Sequence, residues 1–266
     1  MLSDSELQAA SDKLWHCWQD GTVIDGLPAS LRPGSRAEGY AIQARLMAHS
    51  KKPLFGWKIA ATSIAGQKHL KVDGPMVGRI LAERLVPNGS EVDLGSNRMR
   101  VAEAEFAFRM GSDLPPRGAD YAQPEVLAAI ETLHPAIEVP DSRFADFTAV
   151  GAPQLIADNA CAHLYMLGSA VKSDWRQLDL AAHKVIGSIA GRRGRHLRHD
   201  GTGANVLGGP LNAMTWIANE LSRIGAGLKA GEIVTTGTCI VPLPLHEGDV
   251  ALADFGSLGR VSLSFA

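Results

Sequence analysis

The chain has 266 residues, 20% of them charged, and a formal net charge of −2, all of which is ordinary for a globular protein. A charge this close to neutral gives no indication of binding to nucleic acids or acidic membrane surfaces. No apolar run approaches the roughly 20 residues of a transmembrane helix, and the acidic segment from Met1 to Glu6 does not resemble a secretory signal. The three cysteines are far apart, which predicts reduced thiols in a cytoplasmic protein.

The first part of the chain has the pattern of helices. Ser3 with Glu6 forms a candidate capping box ahead of apolar residues at helical spacing, and Ser35 with Glu38 repeats this signal. The segment from Phe55 to Ala60 that follows predicts a strand, because it is short and largely apolar.

The remainder of the chain alternates between single helices and short strands. The patterns predict helices over 123–133, from about 157 to 167 and onward from Pro210, and strands over 101–108, 135–140, 183–191, 233–236, 250–253 and 261–265. Strands scattered among isolated helices favour an α+β fold over a doubly wound α/β fold.

Three glutamates lie where apolar residues are expected. Glu103 and Glu105 fall within the run from Val101 to Phe108, and Glu138 falls within the run from Pro135 to Pro140. Because side chains alternate along a strand, Glu103 and Glu105 point to the same side and the neighbouring phenylalanines to the other. Buried carboxylates repel each other and lose hydration, so a hard divalent cation, Mg²⁺ or Mn²⁺, is the simplest compensation. The alternative is a pair of exposed glutamates on an edge strand.

Other polar residues have a structural and a functional interpretation side by side. Lys58, inside an apolar strand, is either a lysine whose ammonium reaches water or a buried cation that binds a substrate carboxylate or exchanges a proton. Asp141 and Arg143 predict a local ion pair that orders a turn, and Asp158 with Asn159 predicts the N-cap of a helix. Each of these four residues could also reach a site built around the metal.

Several sequence signals do not indicate the function that they suggest at first sight. The basic segment 192–199 lies next to glycines and predicts a solvated hairpin tip rather than a phosphate site. The segment 201–206 begins like a dinucleotide-binding loop but has Val206 in place of the third glycine. The chain contains neither a GxSxG elbow nor an HExxH motif, which argues against a serine hydrolase and a zinc hydrolase.

An ordered set of short motifs spans nearly the whole chain. They are Gly56-Trp-Lys-Ile-Ala-Ala-Thr-Ser63, Val72-Asp-Gly-Pro75, Glu103-Ala-Glu105, Pro135-Ala-Ile-Glu-Val139 with Asp141-Ser-Arg143, Ala157-Asp-Asn-Ala160, Leu207-Gly-Gly-Pro-Leu-Asn-Ala213 with Trp216, Leu228-Lys-Ala-Gly-Glu-Ile233, Thr235-Thr-Gly237, Gly248-Asp249 and Leu258-Gly-Arg-Val261. With these motifs the chain resembles the fumarylacetoacetate hydrolase superfamily, in particular its 2-oxo-4-pentenoate hydratase and 4-oxalocrotonate decarboxylase branch.

The resemblance implies a mixed β-sandwich-like roll with a helical N-terminal portion. We therefore predict a helical portion over 1–75 and a catalytic β-roll over 76–266, which can also count as one domain over 1–266. The resemblance also implies Mg²⁺ or Mn²⁺ held by Glu103, Glu105 and Glu138, and a 2-oxo acid that chelates the ion through its carboxylate and its 2-oxo or enol oxygen. We predict Lys58 and Asp158 as catalytic residues. The predicted substrate contacts are Lys58, Arg143, Asn159, Cys161 and Thr236.

Departures from the family pattern leave the reaction open. Met76 stands where hydratases tend to have an acidic residue, and Cys161 stands where a serine is expected. Gly56-Trp-Lys58 replaces the Asn-Tyr…His…Glu segment that is usual in members that hydrolyse carbon–carbon bonds, which argues against a hydrolase. We expect a hydratase of 2-hydroxy-dienoic or 2-oxo-alkenoic acids from aromatic-compound breakdown.

Two alternatives stay open beside the hydratase. One is a decarboxylase of the 4-oxalocrotonate type, since members of that kind tend to have an apolar residue at the position of Met76. The other is a non-catalytic metal-binding partner of a related enzyme. The resemblance further implies a homo-oligomer, with possible association with a related hydratase or decarboxylase.

Overall fold

Seven α-helices and twelve strands are the main elements of the structure, a computed structural model that describes residues 1–266. The helices are α1 (Asp4–Asp20), α2 (Arg36–Ala44), α3 (Leu46–His49), α4 (Ile64–Leu70), α5 (Gln123–Ala129), α6 (Ala152–Ala157) and α7 (Pro210–Arg223). The strands are β1 (Leu54–Ala60), β2 (Met76–Leu81), β3 (Glu91–Val92), β4 (Val101–Met110), β5 (Ile130–Val139), β6 (Leu164–Leu167), β7 (Lys184–Ala190), β8 (His196–Thr202), β9 (Ile233–Thr238), β10 (Leu243–Pro244), β11 (Val250–Asp254) and β12 (Arg260–Phe265). None of the helices combines the length and apolar character needed to cross a membrane.

The N-terminal helices begin at the predicted capping residues. The Ser3 side chain accepts a hydrogen bond from the Glu6 amide while the Glu6 carboxylate accepts one from the Ser3 amide, so the predicted capping box is confirmed. Ser35 caps α2 in the same way by accepting from the Glu38 amide. A small apolar cluster joins α1, α2 and α6, and its buried members are Ala10, Leu14, Leu27, Ile42, Phe144 and Ala157.

The first sheet carries the residues of interest. Its strand order is β2-β1-β9-β4-β5-β6, with β10 paired to β4. Only the β1–β9 pair is parallel, and the other neighbours are antiparallel. The second sheet has the order β3-β12-β11-β7-β8. The predicted α+β class and mixed β-sandwich-like roll are therefore confirmed, and β4 and β5 are interior strands of the first sheet.

The main hydrophobic core lies between the two sheets. Phe106 of β4 packs edge-on against Phe255, which follows β11, with ring centroids 5.1 Å apart. Phe108 packs on Trp175 with centroids 5.6 Å apart. Both phenylalanines are buried, as their alternation with the glutamates predicts. One face of β4 thus supplies the core and the other face is left for polar residues.

The domain boundary predicted at residue 75 falls in the connection between β1 and β2. These two strands pair in an antiparallel register from Leu54 with Leu81 to Ala60 with Met76. Trp57 and Ile59 of β1 belong to the same hydrophobic core as β4. The helical segment and the segment after residue 75 therefore share one sheet and one core.

Two helices predicted from the sequence end earlier than expected. The prediction over 123–133 is wrong in its second half, because Ile130 and Thr132 already pair with β4 as part of β5. The helix predicted from 157 to 167 is wrong: α6 ends at Ala157, and Leu164–Leu167 forms β6 on the edge of the sheet. In both segments pairing with a neighbouring strand prevails over local helical spacing, an interaction that sequence periodicity does not contain.

The packing between the sheets predicts the effect of truncating Phe106. Replacing Phe106 with alanine leaves a cavity beneath β4, and we expect a loss of about 3–5 kcal/mol in the free energy of unfolding. Chemical denaturation monitored by circular dichroism measures this loss. The matched control, Val250→Ala in β11, removes an exposed side chain and should change stability by no more than about 0.5 kcal/mol. If Phe106→Ala lowers the free energy of unfolding by less than about 0.5 kcal/mol, the packing described is contradicted.

Candidate metal centre and substrate cavity

The three glutamates converge on one face of the first sheet. The antiparallel register of β4 and β5 places Glu103 directly opposite Glu138, and Glu105 lies two residues further along the same face of β4. Each residue offers one carboxylate oxygen, and these oxygens lie within 4.8 Å of one another. We call Glu103, Glu105 and Glu138 the glutamate cluster. Their predicted convergence is confirmed, and the alternative of exposed edge-strand residues is wrong, because Glu105 and Glu138 are buried.

Each buried glutamate is anchored through one oxygen only. Glu105 Oε2 accepts hydrogen bonds from the Thr235 hydroxyl and, at 2.9 Å, from the Gly237 amide. Glu138 Oε1 lies 3.1 Å from Lys58 Nζ. The other oxygens, Glu105 Oε1 and Glu138 Oε2, are buried without a hydrogen-bond partner. An unpaired buried carboxylate oxygen is costly in free energy, so these atoms call for a further positive ligand.

The position of Gly237 depends on its lack of a side chain. Its φ of 97° lies in the region that disfavours other residues, and a Cβ at this site would lie 2.3 Å from Thr62 Oγ1. This backbone conformation directs the Gly237 amide to Glu105. Glycine is therefore required for the anchoring of the carboxylate.

Charge in the cluster is not balanced by the protein. When all three carboxylates are ionised, the ammonium of Lys58 offsets one of them and leaves two negative charges in a largely buried setting. Burial, together with the charge of Glu138, raises the pKa of Glu103 to about 7. Burial and the charges of Glu138 and Glu103 likewise raise the pKa of Glu105 well above its ordinary value. A divalent cation would neutralise the two remaining charges.

Lys58 is a buried cation, so the alternative of a lysine whose ammonium reaches water is wrong. The residue is 3% exposed, and its Nζ donates to the Ala160 carbonyl at 3.0 Å besides pairing with Glu138. Burial alone would lower the pKa of this ammonium, but the glutamate cluster outweighs burial and raises it. Gly78, opposite Lys58 in β2, leaves room for both the Asn159 carbonyl and the lysine, since a Cβ there would lie 2.4 Å from that carbonyl oxygen and 3.0 Å from the lysine side chain.

The carbonyl that receives Lys58 belongs to a left-handed turn. Asn159, Ala160 and Cys161 have φ angles of 56°, 51° and 61°. This conformation costs non-glycine residues roughly 1–2 kcal/mol each. The Asn159 side chain holds the turn by accepting from the Arg79 amide at 2.6 Å and donating to the Arg79 carbonyl at 2.8 Å. Asn159 thus attaches the turn to β2. Its predicted contact with the substrate stays a prediction.

Arg143 and Asp158 form a buried ion pair behind this turn. The Arg143 guanidinium bonds the Asp158 carboxylate, which also accepts from the Ser142 hydroxyl at 2.7 Å. The predicted local ion pair between Asp141 and Arg143 is wrong. Arg143 donates to the backbone carbonyl of Asp141 and does not pair with its carboxylate. The predicted N-cap role of Asp158 is also wrong: the residue follows α6 and precedes the short 3₁₀ turn Asn159–Cys161, but its side chain makes no capping hydrogen bond. Neither Arg143 nor Asp158 lines the cavity described next, and Arg143 bonds both Asp158 and the Ala162 carbonyl that follows the turn.

A cavity of about 460 Å³ opens above the cluster. The side of the cavity next to the cluster is lined by Lys58, Glu103, Ala160, Cys161 and Gly237. Burial raises the pKa of the Cys161 thiol to about 12, with a smaller contribution from Asp158, so Cys161 presents a neutral thiol and not a nucleophile. Because Cys161 lines the cavity, its position allows the predicted contact with the substrate, which stays a prediction.

Thr236, a predicted substrate contact, points away from the cavity. Its hydroxyl donates to the Phe106 carbonyl at 3.0 Å, and the residue is fully buried. The preceding Thr235 is the threonine that serves the cluster, through its bond to Glu105. Strand alternation places the two threonines on opposite faces, and the register of β9 against β4 decides which one faces the glutamates.

Sequence reasoning also missed Tyr165. This residue lies opposite Glu138 in β6, and its buried hydroxyl has no hydrogen-bond partner. Burial raises the pKa of its phenol, and the charges of Glu105 and Glu138 add to the shift. A tyrosine four residues after Cys161 gives no signal in the sequence, because only the pairing of β6 with β5 brings it to the cluster.

The residues present fit a hard divalent cation. Two buried carboxylate oxygens lack partners, the third carboxylate lines the cavity, and all donors are oxygens. Mg²⁺ and Ca²⁺ bind oxygen at about 2.0–2.6 Å, so ligand atoms on opposite sides of an ion lie about 4–5 Å apart. The 4.8 Å limit on the spacing of the cluster oxygens agrees with this range.

Comparison with known proteins places the chain in a family, although no family model matches it. A 2-keto-4-pentenoate hydratase of Paraburkholderia xenovorans (strain LB400) is 32% identical over 271 residues, which cover 99% of this chain and 96% of the relative. The chain belongs to this hydratase family. A 2-oxo-hept-4-ene-1,7-dioate hydratase of Escherichia coli is 30% identical over 237 residues and 86% of either chain. The hydratase family therefore includes members named for substrates with one carboxylate and with two.

A solved structure supports the same branch of the fumarylacetoacetate hydrolase superfamily. The 4-oxalocrotonate decarboxylase from Pseudomonas putida G7, complexed with magnesium and adipate, has a TM-score of 0.87 to this protein. It is 25% identical in sequence, and the match covers 100% of this chain and 99% of that structure. The resemblance seen in the sequence motifs is confirmed.

The anchored carboxylate of Glu105 predicts the effect of removing its charge. We expect Glu105→Gln to weaken Mn²⁺ binding at least about 100-fold, since even outer-shell partners of a metal contribute 10- to 100-fold. Isothermal titration calorimetry or Mn²⁺ electron paramagnetic resonance measures this change. The control is Glu131→Gln, an exposed glutamate of the same sheet, which should bind Mn²⁺ like the wild type. Equal affinity in both variants would contradict the assignment of the cluster.

The raised pKa of Glu103 predicts how metal binding depends on pH. Because the pKa of Glu103 is about 7 and that of Glu105 is also raised, the free protein carries protons on these carboxylates at pH 6, and a cation must displace them. We therefore expect the affinity for Mn²⁺ to rise between pH 6 and pH 8 and proton release to fall over that range. Calorimetry in two buffers of different ionisation enthalpy measures both quantities. An affinity that stays constant or falls as the pH rises would be the opposite result.

Proposed function

We propose that this protein is a metal-dependent hydratase that adds water to a 2-hydroxy-dienoate or 2-oxo-alkenoate. The observation that carries the proposal is a cluster of three carboxylates with two unpaired oxygens, beside a buried ammonium that lines the same open cavity. The relationship to 2-keto-4-pentenoate hydratases supports the same reaction. The activity belongs to the breakdown of small unsaturated acids such as those from aromatic compounds.

The residues of the cluster and Lys58 have distinct tasks in this proposal. Glu103, Glu105 and Glu138 hold Mg²⁺ or Mn²⁺, which when bound supplies a Lewis acid for the negative charge that develops on the 2-oxo oxygen. Lys58 lines the cavity with a charged ammonium and binds the substrate carboxylate or transfers a proton at Nζ.

The ion pair and the left-handed turn support Lys58 from behind. Arg143 and Asp158 fill the space behind residues 159–161, and Arg143 donates to the Ala162 carbonyl at 3.0 Å. Residues 159–161 then supply the Ala160 carbonyl that accepts a hydrogen bond from Lys58. We therefore propose that Asp158 positions Lys58 and does not itself meet the substrate.

A decarboxylase of the 4-oxalocrotonate type is the second candidate. The structural similarity to the Pseudomonas putida G7 decarboxylase favours it, since that protein matches over the full chain. The apolar residue at position 76 does not by itself distinguish the decarboxylase from the hydratase. Its side chain is fully buried in the main core and does not line the cavity, so an apolar residue at this position leaves the cavity surface unchanged.

The compartment and the assembly of the protein stay predictions. Three buried cysteines without disulfides suit a reducing cytoplasm, which we propose as the compartment. A homo-oligomer and an association with a related hydratase or decarboxylase follow from the resemblance alone. A non-catalytic metal-binding partner is the remaining alternative to an enzyme.

The proposed reaction is tested by two substrates side by side. Purified protein with Mg²⁺ or Mn²⁺ is given 2-hydroxypenta-2,4-dienoate and 4-oxalocrotonate, and loss of the conjugated absorbance and release of CO₂ are recorded together. We expect loss of absorbance from the dienoate without CO₂ release, and no loss once the metal is chelated. Release of CO₂ without addition of water would establish the decarboxylase. Metal binding without turnover of either acid, combined with stimulation of a related enzyme, would establish the non-catalytic partner.

A further inference from the structure

Tyr165 is 3% exposed, and its hydroxyl has no hydrogen-bond partner. A buried tyrosine hydroxyl normally finds a partner, because an unpaired O–H loses its hydration without compensation. The two other tyrosines of the chain follow this rule. The Tyr40 hydroxyl accepts from the Val77 amide at 3.2 Å. The Tyr121 hydroxyl donates to the Pro115 carbonyl at 2.6 Å. Tyr165 therefore carries a donor that the fold alone does not use.

The main chain of Tyr165 is held on two sides. The pairing of β6 with β5 sets Tyr165 directly opposite Glu138, and the Val86 amide donates to the Tyr165 carbonyl at 2.9 Å. Residues directly opposite each other in a sheet share one face. The Tyr165 side chain therefore starts on the face that carries the glutamate cluster.

The apolar neighbours of Tyr165 show that its ring reaches across this face. The residue belongs to a small buried cluster whose other members are Ile80, Ala107, Ala136 and Ile233. These members come from β2, β4, β5 and β9, whereas Tyr165 comes from the edge strand β6. Ala107 lies directly opposite Thr235 in the pairing of β4 with β9. The ring thus extends from the edge of the sheet toward the strand that carries Thr235.

The Thr235 hydroxyl complements the hydroxyl of Tyr165. It lies close enough to lower the pKa of the phenol, against the larger effect of burial, which raises that pKa. Thr235 gives the hydrogen of its hydroxyl to Glu105 Oε2 and keeps lone pairs that can accept a hydrogen bond. Tyr165 has a hydrogen to give and no acceptor. The donor of one side chain therefore matches the remaining acceptor of the other.

Two carboxylate oxygens are the rival acceptors for Tyr165. Glu105 Oε1 and Glu138 Oε2 are buried and unpaired, and the charges of both glutamates add to the raised pKa of the phenol. In the proposed metal centre these two oxygens bind the ion, so they are no longer open to Tyr165 once the ion is held. The Thr235 hydroxyl is then the acceptor that remains.

Resting on the metal centre of the proposed function, we propose that Tyr165 is a positioning residue of that centre. Its hydroxyl donates to the Thr235 hydroxyl, which donates to Glu105 Oε2. Hydrogen bonds in such a chain strengthen one another, so the bond from Tyr165 tightens the hold of Thr235 on Glu105 and keeps the other carboxylate oxygen available to the ion. Tyr165 does not line the cavity, so it acts without touching the substrate.

Removal of the hydroxyl alone tests this role. Tyr165→Phe keeps the ring and its packing, and we expect the affinity for Mn²⁺ to fall about tenfold, at the lower end of the effect of groups that orient metal ligands. Calorimetry with Mn²⁺ and no substrate measures the change. The matched control is Tyr121→Phe, which also loses a tyrosine hydroxyl and should bind Mn²⁺ like the wild type. A loss smaller than about threefold for Tyr165→Phe, below the range for such groups, would overturn the proposal.

Variants of Thr235 test whether the effect passes through this residue. Thr235→Val removes the hydroxyl and keeps the shape of the side chain, so adding Tyr165→Phe to it should cost no further affinity for Mn²⁺. Thr235→Ser keeps a hydroxyl, and in that background Tyr165→Phe should again cost about tenfold. A full effect of Tyr165→Phe in the Thr235→Val background would show that Tyr165 acts on a carboxylate directly, and the proposal would be wrong.

Thermal unfolding with the metal chelated separates positioning from a purely structural role. The Tyr165 hydroxyl makes no hydrogen bond in the fold, so Tyr165→Phe should not lower the Tm of the chelated protein. Tyr121→Phe loses its bond to the Pro115 carbonyl and should lower the Tm. If Tyr165→Phe lowers the Tm as much as Tyr121→Phe does, its loss of Mn²⁺ affinity reflects general destabilisation, which would overturn the proposal.

These measurements use no substrate, so they separate the role of Tyr165 from the proposed reaction. If the wild type binds Mn²⁺ but turns over no dienoate, the hydratase assignment fails and the Tyr165→Phe affinity still decides the role of Tyr165. If dienoates are turned over and Tyr165→Phe binds Mn²⁺ like the wild type, only the role of Tyr165 is overturned. Wild-type protein that does not bind Mn²⁺ would overturn both.

Discussion

The repulsion among three buried carboxylates is the interaction on which the rest of the site depends. Lys58 offsets one negative charge and leaves two, and the oxygens that would bind a cation are the ones without protein partners. Folding alone does not resolve this imbalance, because desolvated charges of one sign destabilise each other. The site is therefore built to be completed by a divalent ion and, through it, by a chelating substrate.

The surrounding fold holds this unfavourable arrangement in place. Sheet pairing between β4 and β5 brings Glu103 and Glu138 together, and the main core on the opposite face of β4 gives the strand its stability. The left-handed turn at 159–161 stores backbone strain, which its hydrogen bonds to β2 and the buried Arg143–Asp158 pair offset. Strain of this kind is expected where a carbonyl must reach a functional group, as Ala160 reaches Lys58.

The parts of this site that follow from local periodicity could be predicted from the sequence. Alternation along a strand was enough to place Glu103 and Glu105 on one side, because the repeat of two is a property of the strand itself. The partner of Arg143 could not be found in this way, since Asp158 lies 15 residues away and meets it only through the turn after α6. Tyr165 and the choice between Thr235 and Thr236 depend on strand register, which a single sequence does not specify.

Anomalous X-ray diffraction from crystals grown with Mn²⁺ tests the central claim most directly, because it locates the ion independently of activity. The account predicts a single strong peak between Glu103, Glu105 and Glu138, with carboxylate oxygens at about 2.1 Å and Lys58 still paired with Glu138. The account is contradicted if crystals saturated with Mn²⁺ show no peak there, or if they show the ion bound by other residues.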